Sequence, residues 1–252
     1  MPNTKISIKN LNVYYNDVQA INNLNLDINE KEILALIGPT KSGITTLLRT
    51  LNRLIDLNIE ARVEGEITID GKSINAKDIN VTELRRKVGM VFEIPTPLPM
   101  TIFDNIAYGL RLSTKKDRRT ISDAVERALR DAALWDDVKN RLNTPAMALS
   151  GGQQQRLCVA RILALESDVI LLDRPCSGLD PISTSNIEDS LTRLKEKYTI
   201  ILAPHSVQQA GRVANRVAFM LSGELVEEAS TDEIFSEPKD KRTDDYIRGR
   251  FG

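Results

Sequence analysis

Apolar and polar positions alternate from residue 6 to residue 28, the rhythm of antiparallel strands with one wet face. Residues 32–37 form a short apolar run that ends at Gly38. From residue 45 to about residue 55 the period becomes helical, with Leu47, Leu48, Leu51 and Leu54 on one side. Strand, glycine-bearing loop and helix, in that order, are the layout a phosphate-binding loop needs. Residues 63–74 read as a hairpin with Asp70-Gly71 at the turn, and residues 84–92 as a further strand. Between residues 102 and 143 apolar positions such as Ile121, Ala124, Val125, Ala128 and Leu129 recur at helical spacing. Residues 153–165 predict another helix, and residues 168–172 an apolar strand of the kind buried inside a parallel sheet. Helix, strand, helix and strand follow over 187–197, 199–203, 207–214 and 217–221, and the polar tail from 239 to 252 is expected on the surface.

Strands alternating with helices predict an α/β fold. We expect one domain over 1–252, in which 1–92 and 167–252 form the core and 93–166 a helical subdomain inserted into it. The chain has 252 residues, 41% hydrophobic and 27% charged, with a formal net charge of −1. That balance argues against nucleic acid or an acidic membrane surface as an electrostatic partner. No apolar run approaches the roughly 20 residues that cross a bilayer, and no signal-peptide pattern follows Met1. The expected place is therefore the cytosol, unless a partner holds the chain at a membrane. Cys158 and Cys176 are the only cysteines and lack metal-ligand spacing, so both are expected to be buried small hydrophobes.

Three local features carry candidate chemistry. Leu149-Ser150-Gly151-Gly152-Gln153 precedes a helix. Its glycines, hydroxyl and helix N-terminus suit an anion, and equally make a plain helix cap. Asp173 ends an apolar strand, where a carboxylate can hold Mg²⁺ through water or simply begin a turn. His205 is the single histidine. It follows a strand at the C-terminal end, where α/β folds place ligands, although a lone histidine is also an ordinary structural residue.

The order of these pieces resembles the ABC-transporter ATPase family over essentially the whole chain. Segments such as Arg49-Thr50-Leu51-Asn52-Arg53, Glu83-Leu84-Arg85-Arg86-Lys87-Val88-Gly89, Ala133-Leu134-Trp135-Asp136 and the closing Asp245-Tyr246-Ile247 with Gly249-Arg250-Phe251-Gly252 look like its phosphate-import ATP-binding subunits. The resemblance implies a P-loop ATPase core with a mixed sheet, an antiparallel β-subdomain and a helical insert. It implies ATP and Mg²⁺ as cofactors and a head-to-tail dimer, either a homodimer or a heterodimer with an intact homologue. It also implies two integral-membrane permease subunits, touched by the helical insert and the segment 93–100, and, indirectly, an extracytoplasmic phosphate-binding protein. The expected station is then peripheral, on the cytoplasmic face of the cell membrane.

By the same resemblance Tyr15 would stack on adenine, and Gly38, Pro39, Thr40, Lys41, Ser42, Gly43, Ile44, Thr45 and Thr46 would wrap the phosphates. Thr45, Glu93 and Asp173 would serve Mg²⁺. Ser150, Gly151, Gly152 and Gln153 would touch the partner's nucleotide, Asp180 would sit at the dimer seam, and His205 would hold the γ-phosphate.

Four positions depart from the family pattern. Ile44 stands where the phosphate loop has its lysine, and isoleucine donates no hydrogen bond and carries no charge. Lys41 stands in that loop where a small residue is usual; it either folds over the phosphates or keeps its head in water. Glu93 replaces a glutamine, and Arg174 replaces the glutamate that orients the attacking water. Arginine stays protonated and cannot act as a base, but it can pair with a phosphate. Hydrolysis at this chain's own loop is therefore expected to be very weak. Either the chain still powers transport, or it holds nucleotide and completes the site of an intact partner.

Overall fold

The computed structural model describes residues 3–113 and 117–250. Strands β1 (Thr4–Tyr15) and β2 (Val18–Asn29) pair antiparallel and bury Ile6, Ile8, Leu11 and Val13 against Ile21, Leu24, Leu26 and Ile28. Next along the chain come β3 (Ile33–Ile37), helix α1 (Ile44–Leu51), and the hairpin of β4 (Ala61–Ile69) and β5 (Lys72–Ser73). One four-stranded antiparallel sheet has the order β2-β1-β4-β5. The predicted turn at Asp70-Gly71 is present, with both residues at positive φ.

Two boundaries differ from the sequence expectation. The helix after the loop stops at Leu51, because Arg53 turns left-handed at φ 59° before a short 3₁₀ turn over Leu54–Leu57. The Arg85 guanidinium locks that break by donating to the Asn52 and Arg53 carbonyls. Residues 84–92 are not one strand. Helix α2 (Val81–Lys87) fills the first half, and β6 (Val88–Val91) begins only after it. Asn80 caps α2 by accepting from the Thr82 and Glu83 amides, and Arg85, Arg86 and Lys87 complement the helix dipole at its end.

Helices α3 (Ile102–Ser113), α4 (Arg118–Asp131), α5 (Trp135–Val138) and α6 (Gly151–Leu163) follow β6. The chain then returns through β7 (Val169–Asp173), α7 (Pro181–Leu194), β8 (Thr199–Ala203), α8 (Val207–Val213) and β9 (Arg216–Leu221). It finishes with β10 (Glu224–Ser230), α9 (Thr231–Ser236) and α10 (Lys241–Ile247). A six-stranded mixed sheet has the order β10-β9-β3-β8-β7-β6, parallel except for β10 at its edge. The fold is thus α/β, with a mixed sheet, a separate antiparallel sheet and helices.

Strands β3, β7 and β8 are buried at every position, as their unbroken apolar runs require. Their two faces feed two cores. Ile170, Leu172, Ile200 and Leu202 pack toward α3, α4, α6 and α7, while Leu34, Leu36, Leu171 and Ile201 pack toward α1 and the antiparallel sheet.

The tail stays at the surface, largely exposed or half-buried, yet it folds into α10 and is anchored to the sheet. Asp240 caps α10 by accepting from the Arg242 amide, and the Lys239 and Asp240 amides donate to the Glu227 carboxylate on β10. Thr243 is fully buried, and Tyr246 and Ile247 join a third apolar cluster around Phe219, Ala35 and Ile37. Polar composition hid this because only one side of so short a helix needs to be apolar. Strand β10 was hidden for a similar reason. It is a charged edge strand, Glu224 to Ser230, and such edges carry charge against unwanted pairing.

Candidate nucleotide site

The loop after β3 is shaped by backbone crowding. A Cβ at Gly38 would lie 2.2 Å from the Met220 carbonyl oxygen. Gly43 has φ +96°, and a Cβ there would lie 2.6 Å from the Ala20 carbonyl oxygen, so both positions exclude a side chain. Within the loop the Ser42 amide donates to the Pro39 carbonyl, and the Gly223 amide donates to the Ser42 carbonyl. Helix α1 starts at Ile44, directly behind the loop, so its first amides face the enclosed space.

That space is a cavity of about 300 Å³ at the C-terminal ends of β3, β7 and β8. Its walls include Gly38, Pro39, Thr40, Lys41, Ser42, Gly43, Ile44, Thr45 and Thr46, with Glu93, Asp173, Arg174, His205 and Tyr246. The structure therefore gathers the loop and all four departing positions around one volume. Tyr15 stands beside it, its hydroxyl 3.4 Å from Thr46 Oγ1.

Thr45 Oγ1 donates to Asp173 Oδ1 at 3.3 Å. Burial pushes the Asp173 carboxyl above the ordinary aspartate range, and the Glu93 charge adds to that. The Thr45 hydroxyl, Arg174 and Arg49 pull in the other direction. A hydroxyl and a carboxylate at this separation are a hard oxygen pair, the donor set Mg²⁺ prefers. Glu93 supplies a further carboxylate on the cavity wall. Among the described residues no cluster of three or more His, Cys, Asp or Glu groups is placed to hold a metal. A metal here would thus depend on the loop hydroxyl and on phosphate oxygens.

Arg174 adopts φ 47°, with its amide donating to the Ala203 carbonyl. Its guanidinium lies 4.0 Å from the Glu93 carboxylate. Both side chains are about half exposed, so this pair is screened and separable. Lys41 is exposed and left-handed at φ 68°, at the rim of the same cavity. Ile44 is partly buried against the core cluster beneath the antiparallel sheet.

His205 is oriented by a relay that sequence reasoning did not find. Gln209 Nε2 donates to Glu188 Oε1 and to Cys176 Sγ, which leaves its Oε1 to accept from the His205 amide and ring Nδ1. Nδ1 therefore carries a proton, and Nε2 is the ring nitrogen left outside the relay. Arg212 closes the relay with two hydrogen bonds to Glu188. The only signal in the sequence was helical spacing, His205 and Gln209 four residues apart. Burial pushes the Cys176 thiol up to about 11, and Cys158 is likewise free and buried.

The Arg212 hydrogen bonds hold the Glu188 carboxyl below the usual glutamate range against the opposing effect of burial. A depressed folded-state pKa lends stability above the ordinary glutamate range and loses it as pH falls through the depressed value. Glu188→Gln is expected to cost about 1 kcal/mol at neutral pH, since solvent around half-exposed Arg212 screens the pair. Urea unfolding of both proteins should show the gap closing in acid. A gap independent of pH would remove the ion pair as its cause.

Ser150, Gly151, Gly152, Gln153 and Asp180 do not line the cavity. They form a second cluster where the N-termini of α6 and α7 meet. A Cβ on Gly152 would lie 2.5 Å from Ser183 Oγ, and that hydroxyl donates to Asp180. Ser150 and Gln153 make a reciprocal capping box. Gln153 Nε2 also donates to Asp137, which pairs with buried Arg156. In the single chain the cap reading of this segment is realised, while Ser150 and Gly151 remain exposed.

A sequence profile described as ABC transporter matches residues 21–177 of this chain. The chain belongs to the ABC transporter family. A phosphate import ATP-binding protein, PstB of Borreliella afzelii (strain PKo), is 51% identical over 247 residues, which is 98% of this chain and 95% of that protein. The cbiO1 protein of Clostridium perfringens, described as part of the ABC transporter complex cbiONQ, superposes with TM-score 0.82 at 25% identity. That match covers 98% of this chain and 97% of cbiO1. The ATP-binding cassette MJ0796, solved as a dimer in a post-hydrolysis state with ADP and Pi, superposes with TM-score 0.78 at 28% identity. It covers 90% of this chain and 98% of that one. As an ABC transporter ATPase domain, the chain carries its departures within a fold otherwise kept from end to end. Among the described residues no helix is long and apolar enough to cross a membrane.

Proposed function

We propose that this chain is the ATP-binding subunit of a phosphate importer, whose own site holds MgATP and cleaves it very slowly. The cargo rests on the extended identity with a PstB protein. The chemistry rests on one observation: an arginine, Arg174, stands next to Asp173 on the cavity wall. A guanidinium there can pair with a phosphate but cannot take a proton from water.

In this reading the loop from Gly38 to Thr46 wraps the phosphates, Tyr15 stacks on the base, and Thr45 and Asp173, with Glu93 nearby, serve Mg²⁺. Bound Mg²⁺ would neutralise phosphate charge. Arg174 and Lys41 supply the fixed positive charge that Ile44 lacks, and His205, with its Nδ1–H held by Gln209, donates to the terminal phosphate from Nε2 once that nitrogen is protonated as well. Two such subunits, or this one with an intact homologue, pair head to tail and sit on the cytoplasmic face of the membrane against two permease subunits. An extracytoplasmic phosphate-binding protein would deliver cargo to those permeases.

A second reading is favoured by the cluster of Ser150 to Gln153 with Asp180, which lies outside the cavity and keeps an exposed face. Here the chain is a partner without turnover that completes the site of an intact homologue. Calorimetric titration with MgATP, together with phosphate-release assays alone and with that homologue, separates the readings. We expect Kd of about 50 μM or tighter, near −6 kcal/mol, with no measurable phosphate release by the chain alone. No binding at millimolar ATP would discard the holding site, and ordinary turnover by the chain alone would discard the arrest. Turnover appearing only in the mixture supports completion in trans.

A further inference from the structure

Tyr246 belongs to the tail, yet its ring reaches the cavity wall beside Gly38. The ring stacks on buried Phe219 of β9, with centroids 4.9 Å apart and planes 23° apart. Phe219 is fully buried, so the stacking surface is fixed by the sheet itself. Helix α10, which carries Tyr246, is tied to β10 through Glu227 and buries Thr243 completely. Two rigid supports therefore hold one phenol against the first residue of the phosphate loop. Burial raises the phenol's pKa, while the Gly38 backbone N–H and the Arg174 charge, both close to its oxygen, act in the opposite direction.

We propose that Tyr246 is a positioning residue of the phosphate loop, making nucleotide affinity depend on docking of the C-terminal helix α10. It deepens the nucleotide-holding reading above and rests on it for its consequence in affinity. The physical reason lies in the loop's own composition. Ile44 contributes no charged hydrogen bond to phosphate, so more of the loop's order must come from the protein side. Gly38 has no side chain with which to anchor itself, and the space around it excludes one. A stacked, rotationally restricted phenol oxygen offers the Gly38 N–H an acceptor and so holds that backbone group without occupying the space for phosphate.

Two variants and two readouts test this. Tyr246→Phe keeps the stack on Phe219 and removes only the hydroxyl, and Tyr246→Ala removes both. Amide hydrogen exchange over residues 38–43, measured without nucleotide, should quicken about fivefold in Tyr246→Phe with little change in melting temperature. The MgATP dissociation constant should rise by a similar factor, and Tyr246→Ala should move both further. Unchanged loop exchange in Tyr246→Phe, or a fall in melting temperature without it, would assign Tyr246 to packing alone and overturn the proposal. Failure of the unaltered protein to bind MgATP would count against the nucleotide reading only, because loop exchange decides the positioning role independently.

Discussion

Restoring Ile44→Lys, Glu93→Gln and Arg174→Glu together is expected to raise steady-state phosphate release by at least about 10²–10³. All three side chains border the same cavity, so their effects act on one set of reacting atoms. Lysine at the first residue of α1 would bring an ammonium to the phosphates, where the present isoleucine offers only methyl groups. Glutamate after Asp173 would provide the carboxylate that orients water.

The changes are also expected to be strongly non-additive. Arg174→Glu alone would leave Glu93 facing a second carboxylate and bring a third acid beside Asp173. The Asp173 carboxyl is already raised by burial and by Glu93, and losing the arginine raises it further. That acid cluster repels phosphate, so the single change should weaken nucleotide binding before it restores any chemistry. A malachite-green or coupled assay on the triple and single variants distinguishes these outcomes. A folded triple variant that binds MgATP yet releases phosphate no faster than the unaltered protein would place the arrest elsewhere.

Phe219→Ala should destabilise the protein by about 3–5 kcal/mol. For a domain of this size that corresponds to a melting temperature lower by roughly 10 °C. The ring is fully buried and is shared by β9, the tail helix and the strand leading into the phosphate loop. Truncation leaves a cavity that Ala35, Ile37 and Ile234 can close only by moving strands of the parallel sheet. Thermal unfolding followed by circular dichroism measures the shift. A decrease below about 1 °C would mean that α10 collapses into the gap and that the third cluster is less rigid than its burial suggests.

Much of the architecture could be read from local patterns. The alternation over residues 6–28 and the apolar runs before Gly38 and Asp173 became β1, β2, β3 and β7, because burial on one face or two leaves a direct periodic trace. Boundaries were less legible. The break at Arg53 and the helix α2 depend on a capping asparagine and on Arg85 reaching across to carbonyls more than thirty residues earlier. The charged strand β10 and the tail helix α10 were missed because their identity lies in what they pack against.

The chemistry of the departing residues was determined by sequence alone: Ile44 has no donor and Arg174 no basic lone pair, whatever surrounds them. Only the tertiary structure decided that Arg174 meets Glu93, that Gln209 fixes the proton on His205 Nδ1, and that Ser150 to Gln153 stand apart from the loop beside Asp180. It also decided that Tyr246, some two hundred residues after Gly38, closes against the same cavity. The reason is physical. Side-chain functional groups are properties of each residue, whereas their meeting points follow from how buried strands and helices pack, and packing couples positions far apart in the chain.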